Sequence, residues 1–241
     1  MRLYTLRGSL AIFACVLAAC SAAPSAASSI VGPGVSVPLS ELLLDGGAIE
    51  VGDKIFDDFV YNPNSGAPSA ADISVQGFID DDTGAIGLLF SGPFAVFGTP
   101  LGGPSTLDAG LLFDVTITDP NYVFDSVALQ ATFEPINNPQ FALGSIGETV
   151  GGESLGVNTT VIGGDVVGQV LSSEATFDED LTVLDDVLKD LFLTVGTDPN
   201  PADALLMTSF TQVFTQRLII PEPGSIALLL LASMSCIAYR R

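Results

Sequence analysis

An all-β fold, an antiparallel β-sandwich of jelly-roll-like form, is predicted for the central part of this 241-residue chain. Three observations predict it. Between residues 31 and 218 short β-rich runs recur at regular spacing; Gly, Pro, Asn and Asp separate them; and in several of them apolar residues alternate with period two. Strands of this kind bury one face against a second layer. Helices are expected only outside the body, as an N-terminal signal helix and a C-terminal hydrophobic helix. The chain divides into a leader (1–27), a β-sandwich body (28–219) and a tail (220–241).

The first clear strand is residues 54–61, which follow Gly52-Asp53 and end at Asn62-Pro63-Asn64-Ser65-Gly66. Residues 72–78 alternate, with Ile73, Val75 and Gly77 on one face, before a turn at Asp80-Asp81-Asp82-Thr83-Gly84. Strands are then expected at 85–91, 111–118, 123–133, 155–162 and 166–171. In 123–133 the residues Val123, Asp125, Val127, Leu129, Ala131 and Phe133 share one side, mostly apolar and suited to a sheet core. One segment is ambiguous. Leu184, Leu188, Leu191, Phe192 and Val195 have helical spacing, with Asp178, Glu179 and Asp180 placed for a first turn. The even spacing of Leu181, Val183 and Val187 and the β-rich surroundings favour a strand. A last strand over 204–218 puts Leu206, Phe210, Phe214 and Leu218 on one face, with Thr208, Gln212 and Gln216 between them. Gly151-Gly152 and Gly163-Gly164 read as turns, and residues 62–71 and 97–105 as loops.

The balance of charge narrows the partners. Between residues 28 and 220, Lys54, Lys189 and Arg217 stand against 27 carboxylates, a net charge of −24. Phosphate backbones and anionic head groups repel such a surface, so nucleic acid is excluded as a partner. The chain has no histidine, and its three cysteines, Cys15, Cys20 and Cys236, all lie in the terminal segments. The body therefore lacks the usual neutral-pH base, a thiol nucleophile, a disulfide and cysteine or histidine metal ligands.

The leader carries Arg2 and Arg7, an apolar run over 8–19, and small residues from Cys20 to Ala27. This is the pattern of a secretory signal peptide, with cleavage expected after Ala27. Leu17-Ala18-Ala19-Cys20 also has the form of a lipobox, which makes Cys20 a candidate for lipidation and the protein, in that case, a lipoprotein. In the tail, Pro221-Glu222-Pro223 forms a stiff, non-helical spacer. An uncharged apolar run follows, about 15 residues or roughly 22 Å as a helix, against a hydrocarbon core of ~30 Å. Arg240 and Arg241 end the chain, a pair that favours the cytoplasmic side and leaves the body outside.

These three parts, in this order, resemble the PEP-CTERM sorting domain of exopolysaccharide-producing Gram-negative and related bacteria. The resemblance covers about the last 22 residues. It implies an exosortase-type membrane protease as partner alongside signal peptidase, transient residence in the inner membrane, and release or transfer to the cell surface or extracellular matrix. Recognition by the protease would fall on Pro221, Glu222 and Pro223, and retention during processing on Arg240 and Arg241. The run Gly52-Asp53-Lys54-Ile55-Phe56 with Phe59 is also similar to the opening of PEP-CTERM protein bodies of unassigned function, which brings no activity with it.

No catalytic residue is assigned, and the body is expected not to be an enzyme. Its expected role is structural or binding, with polysaccharide as a partner. The rival is a secreted glycoside hydrolase using two carboxylates about 5 to 9 Å apart, which needs two acids converging in an aromatic-lined cleft. A Ser-Lys nucleophile would need Lys54 or Lys189, and no spacing supports it. The one inorganic partner considered is Ca²⁺, at Asp80, Asp81 and Asp82, since hard cations take several carboxylate and carbonyl oxygens. The spacing is not that of an EF-hand. A solvated turn is the competing reading.

Overall fold

The computed structural model describes residues 30–99, 103–197, 200 and 202–219. The predicted signal helix, Cys20 and the whole of the predicted sorting tail, including Pro221, Glu222, Pro223, Arg240 and Arg241, lie outside the described residues. The described chain is all-β. Fourteen strands form two sheets, and helix is confined to one turn of α-helix, α1 (Leu39–Leu42), and a 3-10 turn at Ala70–Asp72.

The larger sheet runs in the order β1 (Ile30–Val31), β3 (Ala48–Val51), β4 (Lys54–Pro63), β7 (Ser105–Ile117), β13 (Val183–Val195), β9 (Phe141–Val150), β10 (Glu153–Ile162) and β11 (Asp165–Val170). The smaller runs β12 (Ser172–Thr176), β8 (Tyr122–Ile136), β14 (Ala204–Leu218), β6 (Ile86–Phe97), β5 (Ser74–Ile79) and β2 (Ser36–Pro38). Neighbouring strands pair antiparallel except β1 with β3, which are parallel, a departure from the wholly antiparallel expectation. The segment with helical spacing is a strand, β13.

Both sheets contribute to one apolar core. Phe56 and Phe113 come from the larger sheet and Phe90, Phe210 and Phe214 from the smaller, with ring centroids 5.9 Å apart for Phe56–Phe214 and 6.0 Å for Phe90–Phe113. Tilted ring pairs at these distances add to the burial of large apolar side chains. Leu39 and Leu42 of α1 are buried beside them.

Hairpin geometry follows from local sequence. Val150 pairs with Glu153, and Ile162 with Asp165, so Gly151-Gly152 and Gly163-Gly164 are two-residue turns with positive φ at both positions. That turn matches strand twist but strains any residue with a Cβ. These glycines are tight hairpin turns rather than loose connections.

Bulges decide which side chains face inward. In β13 two residues, Asp185 and Asp186, oppose Asp114 alone, and buried positions change from Leu184 to Val187, Lys189, Leu191 and Leu193. In β14 a shift after Met207 does the same: Leu205 and Met207 are buried first, then Phe210, Gln212 and Phe214. The predicted face of the last strand is thereby corrected. Leu206 is half-buried, Leu218 is exposed, and Gln212 points into the core. A third irregularity, in β8 beside Phe214, turns Phe124 inward, so Asp125 does not share the buried side of Val127, Leu129, Ala131 and Phe133.

Candidate functional site

Three groups of polar residues stand out, and sequence pattern pointed to only one of them. That one is the turn after β5. Asp80 Oδ1 accepts hydrogen bonds from the backbone N–H of Asp82 at 3.0 Å and of Thr83 at 2.9 Å, closing the turn on itself. These bonds hold the Asp80 carboxyl below the usual carboxylate range. Asp81 and Asp82 are exposed. Among the described residues, no three His, Cys, Asp or Glu side chains gather as a metal-holding group. The Asp178-Glu179-Asp180 cluster is engaged by Arg217, whose Nη2 lies 2.9 Å from Asp180 Oδ1 and whose Nε lies 3.6 Å from Asp125 Oδ1.

The second group lines a groove of about 720 Å³ between residues 42–48 and strands β4, β7 and β13, of which β4 and β13 are bulged. Asp57 of β4 is the register partner of Asp114 of β7. On the other side of β7, Asp114 Oδ1 accepts the backbone N–H of Asp186 at 2.8 Å. Asp58 and Asp186 adopt left-handed backbone, φ 51 and 57, in the bulges that flank β7 from either side. Aspartate tolerates that region better than most residues. Partial burial, then Asp58, then Asp114 raise the Asp57 carboxyl above its ordinary range. A carboxyl raised in the fold is least unfavourable in acid, and its contribution to stability is lost as pH rises through the folded value. The aromatic side chain of this groove, Phe59, is buried, so no exposed ring accompanies the acids there.

The third group lies inside the molecule. Lys189 and Glu148 are register partners on β13 and β9, both with fully buried side chains, and Lys189 Nζ donates to Glu148 Oε2 at 2.7 Å. The same Nζ donates to Gln212 Oε1, which comes from β14 in the opposite sheet. The Phe113 ring centroid is 5.2 Å away. Burial pushes the lysine ammonium below its usual range, with Glu148 pulling the other way.

A second set repeats these parts. Lys54 Nζ donates to Gln216 Oε1, four residues along β14, and to Asp53 Oδ1 at 3.2 Å, with Phe124 5.8 Å away. Lys54 is 1% exposed. Two of the three cations in the body are therefore internal. Among the described residues Arg217 alone carries positive charge at the surface.

Neither lysine network follows from the sequence pattern. A signal existed in the regular strand spacing of Gln212 and Gln216, but nothing in the sequence said which lysine each would meet. Compared with protein-family models and with curated proteins, the chain matches none.

Proposed function

We propose that this is an exported protein, sorted to the cell surface or extracellular matrix by its C-terminal signal, whose body serves a structural or binding role linked to exopolysaccharide. The observation that carries the reading is the order of parts in the tail: Pro221-Glu222-Pro223, the apolar run, then Arg240-Arg241. On this reading an exosortase-type protease acts at the Pro-Glu-Pro spacer after signal peptidase has removed residues 1–27, and the inner membrane holds the intermediate in between.

The body supports the reading in two ways. Its two sheets share one core, as expected of a jelly-roll-like β-sandwich that presents loops at its ends. With both lysines internal, the outer surface is almost purely anionic, suited to an aqueous matrix and to bridging by divalent cations such as Ca²⁺. A glycosidase would have to draw on acids of the groove such as Asp57 and Asp114, which are register partners on neighbouring strands. Because the ring in that groove is buried, a binding role accounts better for the surface than hydrolysis does.

Fractionation of cells producing the full chain, or the chain lacking its final 21 residues, tests the sorting reading. The full chain is expected in the surface or matrix fraction and the truncated one elsewhere. Normal delivery of the truncated chain would overturn it.

A further inference from the structure

Lys189, Glu148 and Gln212 together present the reactants of an amide-forming condensation. An amine, a carboxamide and a carboxyl group share one buried site, and the amine nitrogen is hydrogen-bonded to both of the others. Among the described residues, Glu148 Oε1 and Gln212 Nε2 are buried without hydrogen-bond partners. Orphaned polar atoms of this kind are costly in a core and call for an explanation. An ion pair alone leaves both orphans in place.

We propose that Lys189 and Gln212 join to each other in the folded protein, forming an amide cross-link between the two sheets with Glu148 as the catalytic acid and base. The step balances. A proton passes from the Lys189 ammonium to Glu148, leaving a neutral amine and a neutral acid. The Nζ lone pair attacks Cδ of Gln212 while Glu148 donates its proton to the carbonyl oxygen. As the tetrahedral centre collapses, the Cδ–Nε2 bond breaks and one proton from Nζ leaves with Nε2 as ammonia. The proton on oxygen returns to Glu148. One amine and one primary amide become one secondary amide and one ammonia, and no oxidant, reductant or nucleotide takes part.

The surroundings favour each stage. Exclusion of water disfavours both charged partners, so the first transfer replaces a buried ion pair by two neutral groups. Lysine becomes nucleophilic when desolvated in an apolar pocket, and burial acts on Lys189 in that direction. Strands hold both reactants in hydrogen-bond contact, which makes the reaction effectively unimolecular. Afterwards no net charge and no primary amide remain in the pocket. The two glutamines lie on one face of β14, and Lys54 with Gln216 and Asp53 repeats the arrangement closer to solvent.

The test is peptide mapping of the full chain made in a purified translation system, which contains no cross-linking enzyme. After folding, the protein is denatured, digested with chymotrypsin and sequenced by mass spectrometry. The expected product is a branched peptide in which the Lys189 side chain carries Gln212, lighter by one ammonia than its two linear parts. A branched Lys54–Gln216 peptide would extend the same chemistry to the outer pair. Recovery of Lys189 and Gln212 only in separate, unmodified peptides overturns the proposal, whatever the variants do. Glu148→Gln, checked for native circular dichroism, is expected to yield the linear peptides. If it were still branched, the acid–base role of Glu148 would be wrong. If it does not fold, Lys189→Arg and ammonia release during folding of the unaltered chain supply the control, with Lys189→Arg expected to release one ammonia per chain fewer than the unaltered chain.

Discussion

At the scale of single residues, the buried lysine network has the sharpest energetic consequences. Removing one member of a buried ion pair strands the other in a medium that cannot solvate it, at a cost of about 3–5 kcal/mol. Relative to the folded chain before any Lys189–Gln212 amide has formed, Glu148→Ala is accordingly expected to lower unfolding free energy by about that amount, read from denaturant titration. The triple replacement Lys189→Met, Glu148→Leu and Gln212→Leu should recover most of the loss, because shape is kept and no orphan remains. The residues around Lys189 do not point to its burial. Lys189 sits among Asp185, Asp186 and Asp190 in a strongly acidic stretch, where a solvated cation is the ordinary expectation. Its burial is set by a backbone event three residues earlier.

That event belongs to the scale of elements. A bulge inserts one residue into a strand and reverses the side to which every later side chain points. In β13 it makes Leu184, Val187, Lys189, Leu191 and Leu193 the inward series, and leaves Leu188, one of the residues with helical spacing, exposed. The helical spacing of Leu184, Leu188 and Leu191 therefore marks no common face, and the even spacing from Val187 onward is that of the strand. β9 escaped recognition for a different reason. Its inward positions are Ala142, Gly144, Ile146, Glu148 and Val150, and a glycine and a charge among them erase the apolar alternation. Gly144 is there because Phe133 packs where its Cβ would stand, with ring carbons 2.7 Å from that point. Strands without such interruptions, 54–61 and 155–162 among them, were legible almost to their ends. At the β9–β10 hairpin, Gly151 combines positive φ with a ring carbon of Phe177 2.8 Å from its missing Cβ. Gly151→Ala is thus expected to destabilise by at least about 1–2 kcal/mol from backbone strain alone, with a correspondingly lower Tm in a calorimetric scan.

At the scale of the whole molecule, charge is the controlling variable. Most carboxylates among the described residues are exposed, with few cations to compensate them, and Arg217 is already committed to Asp125 and Asp180. Self-repulsion of this kind weakens a compact state and is screened by salt. Raising ionic strength from about 0.01 to 0.15 M shortens the screening length from ~30 to ~8 Å, and the protein is expected to melt several degrees higher. An unchanged melting temperature across that range would show that the repulsion is relieved by other means. The overall architecture was legible from strand spacing and turn residues, whereas the pairing order of the two sheets was not, because it depends on contacts between segments far apart in sequence.

The position of β14 has a mechanical corollary. This strand lies between β8 and β6, hydrogen-bonded on both sides, and it leads directly toward the C-terminal segment. Tension applied through that segment enters the body along the strand axis, while the ladder bonds run across it. Two rows of bonds then share the load and must fail together in shear, so a pull from the C-terminus meets the molecule along one of its stiffest lines.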